Sequence, residues 1–310
     1  MNRTDRLNQL LGEYCFLTDG GLETVLVFQQ DIDLPYFASF DLLSQDWGKD
    51  TLISYYQDYL NLAAQHQAGF ILESPTWRAN QDWGRRMNYS PQELENINRE
   101  AIALMELIRT QRGDVKPVLI SGNIGPRGDG YRPTDKMTVA AAHAYHLPQI
   151  SVFADTDADL VTALTLNYLE EAEGIVRAAQ AAAIPVVISF TVETDGCLPS
   201  GQSLESAITQ LDSNTEDYVS YYMINCAHPS HFEHRLQSGD WLERIRGIRG
   251  NASKCSHAEL DESETLDDGN PSEFGADYAR LKRLLPQLSV YGGCCGTDHR
   301  HVAEVAQACL

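Results

Sequence analysis

Two adjacent cysteines, Cys294 and Cys295, stand in the stretch GGCCGTDHRH near the end of a 310-residue chain that holds seven cysteines in all. Glycines flank the pair on both sides. Three chemistries are open to it: a strained vicinal disulfide, two small core residues, or two ligands to one metal ion. A third thiol, Cys226, ends the apolar run YYMINC. Three thiols that met at one rim would make a Zn2+ site, because zinc takes thiolates at about 2.3 Å in tetrahedral geometry and reactive sites keep one position open. Adjacent residues of a regular strand point to opposite faces. Holding one ion through both therefore needs a bent backbone, which glycine permits. The C-x2-C spacing of a zinc ribbon is absent. Three thiolates on Zn2+ leave one net negative charge, a weak activator of water but a seat for a fourth, substrate thiolate. The chemistry that follows is attack by that thiolate on an electrophilic carbon.

Other reactive side chains stand at the ends of apolar runs. Asp19 lies in TDGGLET, Glu73 in LESPTW, Glu193 in SFTVET, and Asn225 directly precedes Cys226. Each has a plain alternative: a turn or N-cap aspartate for Asp19, structural ion pairs for Glu73 and Glu193, loop orientation for Asn225. Trp77 and Tyr131 are candidates for lining a donor pocket. His228, His231 and His234 recur at three-residue intervals and read as a solvated helix start rather than a metal cluster. Cys255 and His257 read as parts of a mobile acidic loop. The H-x-E at His257–Glu259 lacks the P-C-x-x-C of zinc deaminases, and GPRGDGY lacks the G-K-[ST] ending of a phosphate loop. Cys15, Cys197 and Cys309 receive no role.

The elements that must position these groups show as eight apolar runs: Tyr14–Thr18, Phe70–Glu73, Pro117–Ser121, Asp159–Leu164, Pro185–Phe190, Tyr221–Cys226, Ile245–Gly250 and Leu288–Gly292. Most are almost continuously apolar, as strands buried on both faces should be. Helical spacing fills the intervals, for instance Leu94, Ile97, Ala101, Leu104 and Ile108, or Leu169, Ala172, Ile175, Val176 and Ala179. Alternation of this kind predicts an α/β fold, a single (β/α)8 TIM barrel over residues 1–310. The competing open doubly wound sheet is weakened by the lack of G-x-G-x-x-G after the first run. Asn251–Gly275 is acidic and aperiodic and reads as a long loop with a short helix. Barrel enzymes build their sites at the C-terminal strand ends, where Asp19, Glu73, Glu193, Asn225, Cys226 and the cysteine pair fall, so Asp19, Glu73, Asn225 and Glu193 are the expected substrate contacts.

A net charge of -21 argues against nucleic acid and anionic membrane as partners. The first residues contain no apolar stretch of signal-peptide length, and runs such as Ile184–Phe190 are too short to span a bilayer, so a cytoplasmic protein is expected.

Taken together these motifs resemble the homocysteine S-methyltransferase family, the group that includes betaine- and S-methylmethionine-dependent enzymes and the homocysteine module of cobalamin-dependent methionine synthase. TDGGLET is similar to its D-G-G/A opening, ESPTWRAN to its E-T-N-T-F-x-A segment, and GNIGPRGDGY to its G-P-x-G loop. INCAHP and GGCCGTDHRHV are similar to its N-C and G-G-C-C motifs, in the same order and separation. The resemblance implies a (β/α)8 barrel, Zn2+ on Cys226, Cys294 and Cys295, and methyl transfer to the sulfur of homocysteine. It implies that Asp19 helps hold the homocysteine amino group. One position departs. Where the family carries an amine-binding glutamate at the end of strand four, DLVTALTLNY places Leu164. Glu73 and Glu193 are the candidate replacements by position. The expected partners are a small thiol acceptor and a methyl donor. A sulfonium donor suits the chain, since a folate donor would need a further binding domain. The rival readings are a zinc hydrolase and a zinc- or thiol-binding barrel without transfer activity.

Overall fold

Eight parallel strands close into a barrel in sequence order in the computed structural model, which describes residues 3–12, 14–263 and 265–310. They are β1 (Phe16–Leu17), β2 (Gly69–Glu73), β3 (Val118–Ile124), β4 (Leu160–Leu166), β5 (Val186–Phe190), β6 (Tyr222–Asn225), β7 (Ile245–Gly250) and β8 (Val290–Gly293). Parallel pairing of β1 with both β2 and β8 seals the ring. Every apolar run of the sequence became a strand. Residues of β2, β4, β5, β6 and β8 are buried throughout, which is why their sequences do not alternate.

Helices cover the outside. Asp46–Gln65 follows β1, Pro91–Gln111 follows β2, and Leu169–Ala182 follows β4. Pro91–Gln111 shows why the sequence folds there. Ser90 and Glu93 form a reciprocal capping box, Pro91 occupies the first turn, and Leu94, Ile97, Ala101, Leu104 and Ile108 face inward. After β6 the helix shrinks to Pro229–Phe232 and is followed by two 3-10 turns.

Inside the ring, side-chain direction repeats every two residues. Phe16, Ile71, Leu119, Leu160, Val187, Met223 and Val290 form an apolar layer at the N-terminal end, with Leu10 of the N-terminal helix (Arg3–Leu10) packed on it. Two residues further along each strand stand Thr18, Glu73, Ser121, Thr162, Ser189, Asn225, Arg249 and Gly292, a layer that is polar or small throughout. The hydrogen bonds between Ser121 and Thr162 (2.7 Å) and from Ser189 to Asn225 (2.6 Å) run across this layer. A core thus gives way to a polar floor within two residues, and the chemistry is confined to the C-terminal end.

Two expectations are corrected. The segment 251–275 does hold the expected short helix, at His257–Asp261, started by a Ser256–Glu259 capping box, but the loop ends early, because Pro271 already begins the helix Pro271–Leu284. Pro271 and the Asn270 cap supply that start, a signal hidden by the acidic composition before it. The three histidines do stand at a helix start, but two of them are not solvated. His228 and His231 are buried, His228 as the N-cap of Pro229–Phe232 with Nε2 3.4 Å from Asp277, and His231 with Nε2 3.0 Å from the Lys254 carbonyl. Packing of Pro271–Leu284 and the 251–254 segment over that turn buries them. His234 is exposed. Among the described residues no helix is long and apolar enough to cross a membrane.

Candidate active site and metal centre

Cys226 directly follows β6 and adopts a left-handed backbone, φ 55°. Such a conformation is costly for a residue with a Cβ. It ends the strand abruptly, and the Cys226 amide donates to the Arg249 carbonyl at 3.1 Å. The Cys226 thiol lies 2.9 Å from that of Cys294 and 3.5 Å from that of Cys295. All three sulfurs lie within 4.8 Å of one another. Sulfurs at the corners of a tetrahedron around one zinc ion stand about 3.8 Å apart. The Cys226–Cys295 pair is near that spacing and the Cys226–Cys294 pair is tighter by about 1 Å, and the donor set is the soft one zinc prefers, so the residues present fit a metal ion after a small separation of the two closest sulfurs. The seven cysteines carry no disulfide, so the vicinal bridge is not formed.

Glycines on both sides of the pair are there for identifiable reasons. A Cβ on Gly292 would stand 1.9 Å from the Thr18 hydroxyl of the adjoining strand, so only glycine fits there. Gly296 has φ +78°, where glycine is favoured. Next to Gly296, Thr297 donates to the Cys294 carbonyl through its amide (3.1 Å) and hydroxyl (2.7 Å), closing the turn that brings both thiols to one side. The close contact makes the three thiols unequal. Hydrogen bonding with Cys226 and Cys295, helped by the Arg249 charge, holds Cys294 well below the usual thiol range. Sharing with Cys294 pushes Cys226 up, and contact with Cys226 pushes Cys295 up.

Asn225 is committed on every side. Its Oδ1 accepts from the Thr165 amide (2.8 Å) and the Ser189 hydroxyl (2.6 Å). Its Nδ2 donates to the Thr165 hydroxyl (2.8 Å) and lies 3.9 Å from the Cys294 sulfur. Thr165 itself is left-handed, φ 64°, where β4 breaks register with β5. Of the two readings open for Asn225, the structure supports orientation: it braces the end of β4 beside the thiols.

Asp19 and Glu73 line one cavity of about 440 Å3 together with Leu164, Asn225 and the three cysteines. Asp19 is 3% exposed, with Oδ2 accepting from the Tyr55 hydroxyl (3.1 Å) and Oδ1 2.8 Å from Arg249 Nη2. Arg249 is a functional candidate that motif reading missed. An arginine at an inward position of the buried strand IRGIRG was the available signal. Leu164 presents an aliphatic wall, 6% exposed, and its carbonyl accepts from the Trp77 indole at 3.3 Å.

Glu73 is 3% exposed and its Oε2 has no partner. Burial pushes its carboxyl up to about 7, against the pull of Arg249. A raised carboxyl favours folding below the unfolded value of 4.5 and loses that contribution as the pH climbs to about 7. The full difference is on the order of 3 kcal/mol. Glu73→Gln is therefore expected to match the wild type in thermal melts at pH 4.5 and to exceed it at pH 8. A gap that does not change between the two pH values would contradict this assignment.

A roof closes over the thiols. Asn167 Nδ2 donates to the carbonyls of Asp129 (2.8 Å) and Gly130 (2.9 Å), which fixes the loop carrying Tyr131. The Tyr131 hydroxyl stands 3.0 Å from the Cys226 sulfur. Its ring stacks on His257 at 3.9 Å, and His257 Nε2 donates to the Cys226 carbonyl at 2.6 Å. His257, expected in a mobile loop, is thus a buried part of the site, while Cys255 is exposed. Glu193, expected as a substrate contact, is not among the residues lining the cavity. Its side chain is 36% exposed and stands behind His257, with Oε1 3.3 Å from Nδ1. The roof residue screens it from the cavity.

Comparison with known proteins gives the family and the fold. The sequence model of the homocysteine S-methyltransferases matches residues 16–309. The chain belongs to that family. Its fold is similar to that of the Escherichia coli homocysteine methyltransferase MmuM. The oxidized form gives a TM-score of 0.78 at 18% identity over 99% of each chain. The metallated form gives 0.74 at 17% identity, over 97% of this chain and 99% of that one. A segment of 137 residues is 29% identical to the methionine synthase of Mycobacterium tuberculosis, covering 40% of this chain and 10% of that protein. The match thus spans about a tenth of that curated relative's length. As a homocysteine S-methyltransferase, the chain carries its cysteine cluster and Asp19 at one cavity, and its departure at Leu164 lies in the wall of that cavity.

Proposed function

We propose that this chain moves a methyl group from a sulfonium or related cationic donor to the thiol of homocysteine, with Cys226, Cys294 and Cys295 holding Zn2+. The observation that carries the reading is the convergence of three sulfurs within 4.8 Å at the mouth of the barrel, in a member of this family. Zinc bound there supplies a seat at which a substrate thiol loses its proton at neutral pH. The protein then has two tasks, alignment and exclusion of water. Asp19 and Glu73 hold the acceptor's amino end from below. Asn225 braces the strand end beside Cys294. Tyr131 and His257 cover the thiols from above. Glu23 lines the same cavity and accepts from Ser39 at 2.8 Å. It makes no ion pair with any described residue, and with the rings of Phe37, Trp77 and Tyr131 it suits a cationic donor. In the transfer the acceptor sulfur forms a bond to the methyl carbon as the donor's carbon–sulfur bond breaks. The bonding pair leaves with the donor sulfur, which becomes a neutral thioether. No side chain needs to act as a base on carbon. A thiol-based site of this kind belongs in a reducing compartment, so we place the protein in the cytoplasm.

The test is methionine formation, followed by mass spectrometry, from zinc-loaded protein, L-homocysteine and methyl-deuterated S-methylmethionine. Deuterated methionine made from homocysteine, above a protein-free control, is the expected result. Absence of product at one zinc per chain would overturn the reading for this donor. Donor breakdown without homocysteine would favour the hydrolase instead.

A further inference from the structure

We propose that Arg249 is the carboxylate receptor of the acceptor, and that Arg249 and Asp19 together read the zwitterion of an α-amino-acid thiol. This rests on the thiol-acceptor reading above. Arg249 is 4% exposed and lines the cavity. Its Nε donates to the Gly293 carbonyl (3.0 Å), and its Nη2 donates to the Gly20 carbonyl (3.1 Å) and pairs with Asp19. Its Nη1 is buried with no hydrogen-bond partner. A buried guanidinium with one arm unmatched is unfavourable unless a ligand completes it. In β-sheet register Arg249 faces Asn225 on one side and Gly292 on the other.

The geometry suits a zwitterion specifically. Ammonium and carboxylate share one carbon, so their receptors must also be neighbours, one accepting and one donating. Asp19 Oδ1 and Arg249 Nη2 stand 2.8 Å apart in the cavity wall. The side chain at the end of β4 is Leu164, which offers nothing to either charge. A cation without a carboxylate would find Asp19 already balanced by Arg249 and would keep only Glu73 as an unpaired acceptor. A zwitterion matches both members of the pair and gives Nη1 its partner.

A purely structural pair, tying β1 to β7, is the competing explanation. Three acceptors separate the two: L-homocysteine, 3-mercaptopropylamine (no carboxylate) and 4-mercaptobutyrate (no ammonium). The wild type is expected to favour L-homocysteine over 3-mercaptopropylamine in kcat/KM by about 100-fold, the worth of a charge-assisted hydrogen-bond pair. Arg249→Gln should raise KM for L-homocysteine far more than it lowers kcat, and should collapse the ratio between these two acceptors to near one. Arg249→Lys should restore part of it. Equal losses on both acceptors would make Arg249 structural and overturn the proposal, as would a wild type that does not discriminate. If Arg249→Gln fails to fold by circular dichroism, the wild-type series alone decides. Failure to methylate any of the three thiols would instead sink the functional reading.

Discussion

Cys294→Ser is expected to lower zinc affinity by at least ~100-fold and to abolish methionine formation while the barrel remains folded. The magnitude follows from direct ligation, since loss of a mere supporting contact already costs about 10–100-fold in affinity. Cys294 is also the thiol most disposed to be an anion, through its hydrogen bonding with Cys226 and Cys295. Retention of the fold follows from where the site sits. The apolar layer from Phe16 to Val290 lies at the other end of the strands, and neither cysteine of the pair belongs to a core cluster. Metal content by mass spectrometry, turnover and far-ultraviolet circular dichroism check the three parts. Unfolding of the variant would make the metal structural, and unchanged zinc content would remove Cys294 from the ligand set.

Asn225→Ala is expected to fold less stably and to react more slowly, because one amide satisfies several buried groups. Its loss leaves the Thr165 amide and the Ser189 hydroxyl without their partner, and both residues are buried. Each orphaned group costs about 1–3 kcal/mol, so the loss is on the order of 3 kcal/mol. For a chain of this size that lowers the melting temperature by roughly 5 °C. Thr165 also loses the support for its left-handed backbone beside the cavity. Displacement of the strand end by about 1 Å is enough for a 100-fold fall in kcat. Asn225→Asp keeps the accepting oxygen and should recover much of the stability. A variant that melts with the wild type and turns over normally would show that Asn225 braces nothing.

Particular residues show how far the sequence could be read. The strand runs were legible because a strand buried on both faces is apolar whatever its partners are. Helix Pro91–Gln111 was legible because its cap, its proline and its inward residues are all local. The thiols were legible as a set, because barrel connectivity places the ends of β6 and β8 near each other. Glu193 looked equivalent to Glu73, since both close a strand. Only the loop packed between them and the cavity distinguishes the two, and His257 occupies that place for Glu193. His228 and His231 looked solvated because their own segment is polar, yet a helix from later in the chain covers them.

By itself, then, the sequence determined the alternation of strand and helix, the barrel, and the three sulfurs at its rim. These depend on local periodicity and on residue types confined to strand ends. Only the tertiary structure decided that Asp19 is paired with Arg249, that Asn225 braces Thr165, and that Tyr131 and His257 roof the thiols. Each of these contacts joins residues far apart in the chain. A period of two tells which residues share a face of a strand, but closure of the ring decides which of those residues touch.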